Sequence, residues 1–259
     1  MASKVENPKP LAAGEAEVAV LERIRDVSRD DWNALLAPDD SPFLDWDWLW
    51  AMEESKSATR NTGWSPCHLL VRIGPERKIA AACPLYLKSH SQGEFVFDHG
   101  WADAAERAGI SYFPKLMVGV PFTPHTGRRF LVAPDYDRER MVQVLGRALL
   151  QLCADNKLSS VHVNFCAPDE AAALGEIGFA ERLGYQYHWL NAGFATSTIT
   201  WRSSRASGAT PCVMSVRRWP VRASRFGRWP ATRFPTRCSA RCSKFINRRS
   251  RSFTGGGNI

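Results

Sequence analysis

The sequence predicts an α/β fold, a mixed sheet flanked by helices on both faces, followed by an irregular or disordered basic tail. Three observations carry that reading. From residue 17 to about residue 190, strand-length apolar runs interleave with stretches at helical spacing, the pattern of a sheet covered by helices. The 259 residues are 44% hydrophobic and 23% charged, ordinary for a globular chain with a sizeable core. The formal charge of +8 is spread unevenly. No Asp or Glu follows Glu181, and residues 201–259 hold thirteen Arg and one Lys, so residues 1–200 carry −6. The basic character therefore belongs to the tail. The division expected is a flexible leader over 1–16, one domain over 17–195 and an Arg-rich tail over 196–259.

Each element follows from local pattern. Glu17–Ile24 reads as the first strand. Ser28 is a good N-cap for a short helix carrying Trp32, Leu35 and Leu36, ended near Pro38. Ser41-Pro42 opens a second helix, with Phe43, Trp46, Leu49, Trp50 and Glu53 at helical spacing and Trp48 facing away. Cys67–Ile73 and Lys78–Leu87 form a hairpin about Gly74-Pro75, and a short helix surrounds Asp103–Ala108. Leu116–Val120 and Arg129–Val132 flank the turn-rich loop Pro121–Gly127. The clearest helix is Tyr136–Cys153, with Met141, Val144, Leu145, Ala148, Leu149 and Leu152 on one face. Ser160–Cys166 is a strand, Pro168-Asp169-Glu170 starts a helix reaching about Leu183, and Tyr185–Leu190 closes as a strand.

Beyond Thr196 the periodicity stops. Trp219-Pro220, Trp229-Pro230 and Pro235 would interrupt any helix or central strand, and the composition does not readily assemble a core of its own. The seven cysteines have irregular spacing and several sit in apolar runs, which reads as reduced, buried thiols in a cytoplasmic protein. Met1–Glu15 has no apolar signal region, and no run approaches the ~20 residues that span a bilayer. Gly-x-Ser-x-Gly, His-Glu-x-x-His, P-loop and paired Cys-x-x-Cys motifs do not occur, which disfavours serine hydrolase, zinc protease and nucleotidase chemistry. No metal site is expected.

Three stretches, Ser41–Glu54, Pro84–Ala102 and Tyr112–Leu131, resemble the FemAB-like family of the GNAT acyltransferase superfamily, of the peptidoglycan biosynthesis or recognition type. The resemblance covers roughly residues 17–195. It implies a GNAT-like mixed sheet and transfer of an acyl or aminoacyl group to a small-molecule or peptide amine, by direct attack. It implies acyl-CoA or aminoacyl-tRNA as donor, with no tightly bound cofactor. Such proteins resemble two GNAT units in tandem, of which this chain retains the first. The acetyl-CoA pyrophosphate loop, Arg/Gln-x-x-Gly-x-Gly/Ala, has no counterpart here; Gly127-Arg128-Arg129 is the nearest basic turn.

The tail has the bias of a GC-rich gene read out of frame: Asp and Glu vanish while Arg, Ser, Pro, Cys and Trp accumulate. One reading offset lets synonymous codons of both Thr196–Arg217 and Lys244–Ile259 spell a family-like continuation, a Lys/Arg helix and then an aromatic segment. The expectation is a frameshift near Ala195 and an impaired, truncated transferase.

Candidate catalytic residues are Glu94, Asp98 and His99, set among Phe95, Phe97 and Trp101, together with His125. Amine attack needs a group that takes the amine's proton, and burial raises a carboxylate toward that range. The competing reading has Glu94 and Asp98 capping turns or pairing with Lys88 or Lys115. Tyr112, Lys115, Thr123, Thr126 and Arg128 are candidate substrate-binding residues, offering donors for a carbonyl oxygen or phosphate. Gly127 and Arg128 are the candidate cofactor-binding residues. His68 and His162 read as satisfied sheet residues. Two other functions stay open: nucleic-acid binding through the basic tail, and a non-catalytic recognition module.

Overall fold

One long antiparallel ribbon supplies strands to two sheets. The computed structural model describes residues 16–186 and 217–225. Strands β2 (Trp64–Pro66) and β3 (His68–Ile73) form one arm of the ribbon, and β4 (Lys78–Cys83) and β5 (Leu85–Lys88) the other. Leu69 lies opposite Cys83 in the β3–β4 pair, and Trp64 opposite Lys88 in the β2–β5 pair. Between the two pairs the Cys67 N–H donates to the Leu85 carbonyl at 2.8 Å. Pro84, with no N–H to offer a ladder, separates β4 from β5. The single strand expected over Lys78–Leu87 is therefore two strands in different sheets.

The first sheet has the order β1 (Ala16–Leu21), β3, β4, β7 (Leu131–Val132). In the second, β2, β5, β6 (Lys115–Val118) and β8 (Val161–Asn164) are successive neighbours. β6 and β8 run parallel, with Leu116 beside Val161, and the others pair antiparallel. Ala16–Arg182 and Pro220–Arg225 belong to one compact unit; Leu183–Gln186 and Arg217–Trp219 fall in a second. Strand β9 runs from Ala180 to Gln186, so the helix expected to reach Leu183 is shorter. Of the strand expected over Tyr185–Leu190, residues 187–190 lie outside the described residues, as does most of the tail. Within the tail β10 (Arg217–Arg225) is a strand, and its Arg222–Arg225 pair with β8. It extends an existing sheet, and Pro220 precedes the paired residues.

Helix boundaries follow their caps. Ser28 caps α1 (Arg29–Asn33) by accepting from the Asp31 N–H at 3.0 Å. Ser41 caps only a single tight turn, Pro42–Leu44, and Asp45 then caps α2 (Trp46–Glu54), so the expected second helix is two pieces. Helix α3 covers His99–Arg107. Asp137 caps α4 (Arg138–Asp155), and α5 (Pro168–Glu176) begins with proline and ends before Gly178.

Alternation along the strands sorts the core. Leu69, Val71, Cys83, Leu85, Leu116, Val118, Val161 and Val163 meet Leu145 and Leu149 of α4 and Leu174 of α5 in the largest apolar cluster. The intervening Leu70 and Ala82 turn the other way, against Trp32 of α1 and Leu49 of α2. Helices thus cover both faces of the first sheet. The four described cysteines form no disulfide; burial pushes the Cys153 thiol up to about 11 and Cys166 to about 12, as expected of inert thiols. Among the described residues no helix is long and apolar enough to cross a membrane.

Candidate functional site

The second sheet has one apolar face and one polar face. If Leu85, Leu87, Leu116, Val118, Val161 and Val163 face α4 and α5, the period of two sends Tyr86, Lys88, Lys115, Met117, His162 and Asn164 to the opposite side. The register sets Lys88 directly opposite Lys115 and Met117 beside His162. All six side chains are buried. Their cover is the segment between β5 and β6, which brings in Ser91, Glu94, Asp98 and Tyr112.

Lys115 is the hub. Its ammonium donates to Ser91 Oγ at 2.8 Å, Asp98 Oδ2 at 2.9 Å and Glu94 Oε2 at 3.0 Å, with all three ionic groups fully buried. The Tyr112 hydroxyl donates to Asp98 Oδ2 at 2.7 Å, and the Asn164 amide reaches Glu94 Oε2 at 3.4 Å. Ser160 Oγ lies 2.9 Å from His162 Nε2. Glu94 is thus held by one oxygen, while Oε1 is buried without a hydrogen-bond partner, as is Asn164 Oδ1. Burial raises the Glu94 carboxyl above its ordinary range, against the pull of Lys115. Burial works the same way on Asp98, but the Lys115 charge and the donors Tyr112, Ser91 and Lys115 hold it well below the carboxylate range. Lys88 touches neither carboxylate: it donates to the Gln92 carbonyl at 3.2 Å and lies 3.5 Å over the Trp64 ring.

Glu94, Asp98 and His162 also bring ligand atoms within 4.8 Å of one another, a set able to face a cation. The Lys115 ammonium already stands between the two carboxylates and supplies that charge. Of the residues singled out from sequence, Glu94, Asp98, Tyr112 and Lys115 meet here, and the expected Lys115 pairing is what joins them. His99 is exposed at the start of α3.

The loop after β6 has a different anchor. Arg129, 1% exposed, donates to the carbonyls of Asn164, Gly127, Arg128 and His125. Glu170 stands behind it, accepting from the Arg129 and Phe130 N–H groups at 2.8 and 2.9 Å and from Arg138 at 2.6 Å. The candidate cofactor residues are engaged within the fold: the Gly127 N–H donates to the Phe165 carbonyl at 3.0 Å, and Arg128 pairs with Asp39 and Asp40. Thr123 donates to the Pro121 carbonyl, Thr126 is half-buried, and the largely exposed His125 ring sits edge-on to Phe43; partial desolvation and then the Arg129 charge lower the His125 pKa. Four phenylalanines, Phe95, Phe97, Phe122 and Phe165, take positive φ in the segments flanking β6 and following β8, a strained conformation for a bulky side chain. His68 is satisfied as expected: Nδ1 accepts from the Leu85 N–H, so Nε2 donates to Glu53 at 3.0 Å.

His162, Asn164, Ser91 and the second lysine are the members that motif reasoning missed. For the strand residues the signal is the alternation of Tyr86 and Lys88, Lys115 and Met117, and His162 and Asn164 with apolar neighbours, visible only once those strands are adjacent; Ser91 lies in the connecting segment and has no such signal.

Residues 23–198 match the profile of the FemAB-like family, described as peptidoglycan biosynthesis/recognition. No curated protein sequence matches significantly. Solved structures with similarity include the ribosomal-protein-S5-alanine acetyltransferase of Vibrio fischeri, at 10% identity over 83% of this chain and 95% of that one, TM-score 0.43. The polyamine N-acetyltransferase of Drosophila melanogaster is 12% identical over 82% and 100%, TM-score 0.45. The spermidine N-acetyltransferase of Vibrio cholerae, in complex with CoA and spermine, is 12% identical over 82% and 95%, TM-score 0.40.

Proposed function

The chain belongs to the FemAB-like family of peptidoglycan biosynthesis and recognition proteins, and on that premise we propose that its described domain is an acyl- or aminoacyltransferase unit acting on an amine. The observation that carries the reading is Glu94, fixed through Oε2 to Lys115 and Asn164 and left with a buried, unpartnered Oε1. A buried acceptor atom without a partner calls for one, and the N–H of an incoming amine fits it. Glu94 then takes the proton the amine loses as its nitrogen attacks the acyl carbonyl, and the raised carboxyl suits that exchange. Lys115 holds the carboxylate, and Asp98 with Tyr112 holds Lys115. His99 and His125, both exposed, are further candidates for the proton transfer, Thr123, Thr126 and Arg128 for holding the substrate, and Gly127 with Arg128 for the donor. The acceptor is of the cell-wall peptide or small polyamine type, and the donor acyl-CoA or aminoacyl-tRNA. The exchange of the continuation for the 196–259 tail leaves this chain impaired.

The test is amide formation from radiolabelled acetyl-CoA, or from charged tRNA, with spermidine or a free-amine muropeptide. It uses this chain and one whose reading frame is restored after codon 195. The restored chain is expected to be the more active, and Glu94→Gln to lower its kcat by about 10²–10⁴-fold. Equal rates for Glu94→Gln and the parent would remove Glu94 from the role. No product from either chain would favour a recognition module.

A further inference from the structure

We propose that Lys88 is a covalent-capture site for small aldehydes, its side-chain amine adding to the carbonyl carbon within the polar face of the second sheet. The inference does not depend on the acyltransferase reading. Lys88 is fully buried on β5, with Lys115 directly opposite on β6. Like charges at opposed positions repel, and the fold settles the conflict one-sidedly. Both carboxylates of the cluster, Glu94 and Asp98, bond to Lys115, leaving Lys88 one acceptor, the Gln92 carbonyl, and the Trp64 ring. An ammonium ion brings three donors and a full charge; this environment serves one donor and supplies no touching counter-ion. The Trp64 face attracts a cation, but no carboxylate touches the nitrogen and only one of three ammonium donors has an acceptor, so the neutral amine is the better-served form.

The groups that face Lys88 agree. Burial lowers its pKa to about 7, with Lys115 acting in the same direction and Glu94 and Asp98 opposing. The half-buried His90 is itself lowered, first by burial and then by Lys88. A desolvated lysine beside a second cation is the recognised way to expose a nitrogen lone pair at neutral pH. In the capture step that lone pair attacks the aldehyde carbon and a carbinolamine forms. Both amine hydrogens then leave with the carbonyl oxygen as water, and a C=N bond joins ligand to Lys88. The segment that carries its one acceptor, Ser89–Gly93, is half-exposed or exposed throughout.

The probe is formaldehyde with cyanoborohydride, whose hydride reduces the imine to a stable methylamine, applied to the folded chain from pH 5.5 to 10. Peptide mass spectrometry reads the rate at each lysine. An exposed lysine is neutral in only about one molecule in 2,500 at pH 7, so the rate at exposed Lys78 is expected to climb through pH 10. The Lys88 rate is expected to be half-maximal near pH 7 and flat above it. Lys88→Arg should delete the modified peptide, and Lys115→Met should move the half-maximum to higher pH. A Lys88 rate that climbs in parallel with Lys78, or no methylation of Lys88 in the folded chain at any pH, overturns the proposal.

Discussion

Two buried ionic networks meet at Asn164, at the end of β8, and they are built to opposite standards. Its backbone carbonyl accepts from Arg129, and its side-chain amide donates to Glu94. On the Arg129 side, Glu170 accepts from two backbone N–H groups and from Arg138, and the Arg129 guanidinium spreads over four carbonyls. On the Glu94 side two oxygens go without partners, and one lysine has no touching counter-ion. Full satisfaction identifies the first network as a clamp on the loop after β6. Incomplete satisfaction of the second is what supports the proposed amine site there.

The sharpest way to break that contrast is the same substitution on both sides. Glu170→Gln strips the charge from a fully buried acceptor, leaving the buried Arg129 without it and Arg138 with only the exposed Asp169. It is expected to cost about 3–5 kcal/mol in urea or guanidinium unfolding. Glu94→Gln is expected to cost much less stability, under about 1.5 kcal/mol, while removing most amide-forming activity. If the two cost the same stability, the networks do not differ in kind.

Lys88 sharpens the comparison next. Its folded pKa, about 7, lies below that of an unfolded lysine. Between pH 7 and ~10.4 the unfolded chain therefore binds the extra proton, and stability rises with pH by up to roughly 1.4 kcal/mol per unit. Lys88→Met should flatten that slope in unfolding curves taken at successive pH values. Asp98 has the opposite sign: its depressed carboxyl contributes stability above the unfolded value of about 3.9, lost as pH falls further. The smallest effect is expected at Arg128, itself partly exposed, which pairs with the mostly exposed Asp39 and only at 3.4 Å with Asp40. Arg128→Ala should change stability by no more than about 1 kcal/mol, measured by thermal unfolding.

Much of this was legible in the residues. Ser28, the α4 stripe from Met141 to Leu152 and the hairpin at Gly74 each announce themselves within one turn or strand. What stayed hidden depends on contacts made elsewhere. Asp45 splits the second helix because it caps α2 by accepting from the Asp47 N–H, while Ser41 does the same for the preceding turn. Pro84 divides a run that is apolar on both sides of it. Glu94, Asp98, Tyr112 and Lys115 could be nominated from their chemistry and closeness in sequence. His162 and Asn164 could not, because they join the cluster only when β8 lies parallel to β6.

The ribbon that changes sheets at Cys67 and Pro84 has a consequence for how this protein can be cut and rejoined. The two sheets share the ribbon, with β2 and β5 in one and β3 and β4 in the other, so a single break at Cys67 or at Pro84 leaves them joined through the other arm. A shortened form of the domain is therefore expected to need residues 64–88 as one piece. Lys88, at the end of one arm, and His68, at the head of β3, both fall within that piece.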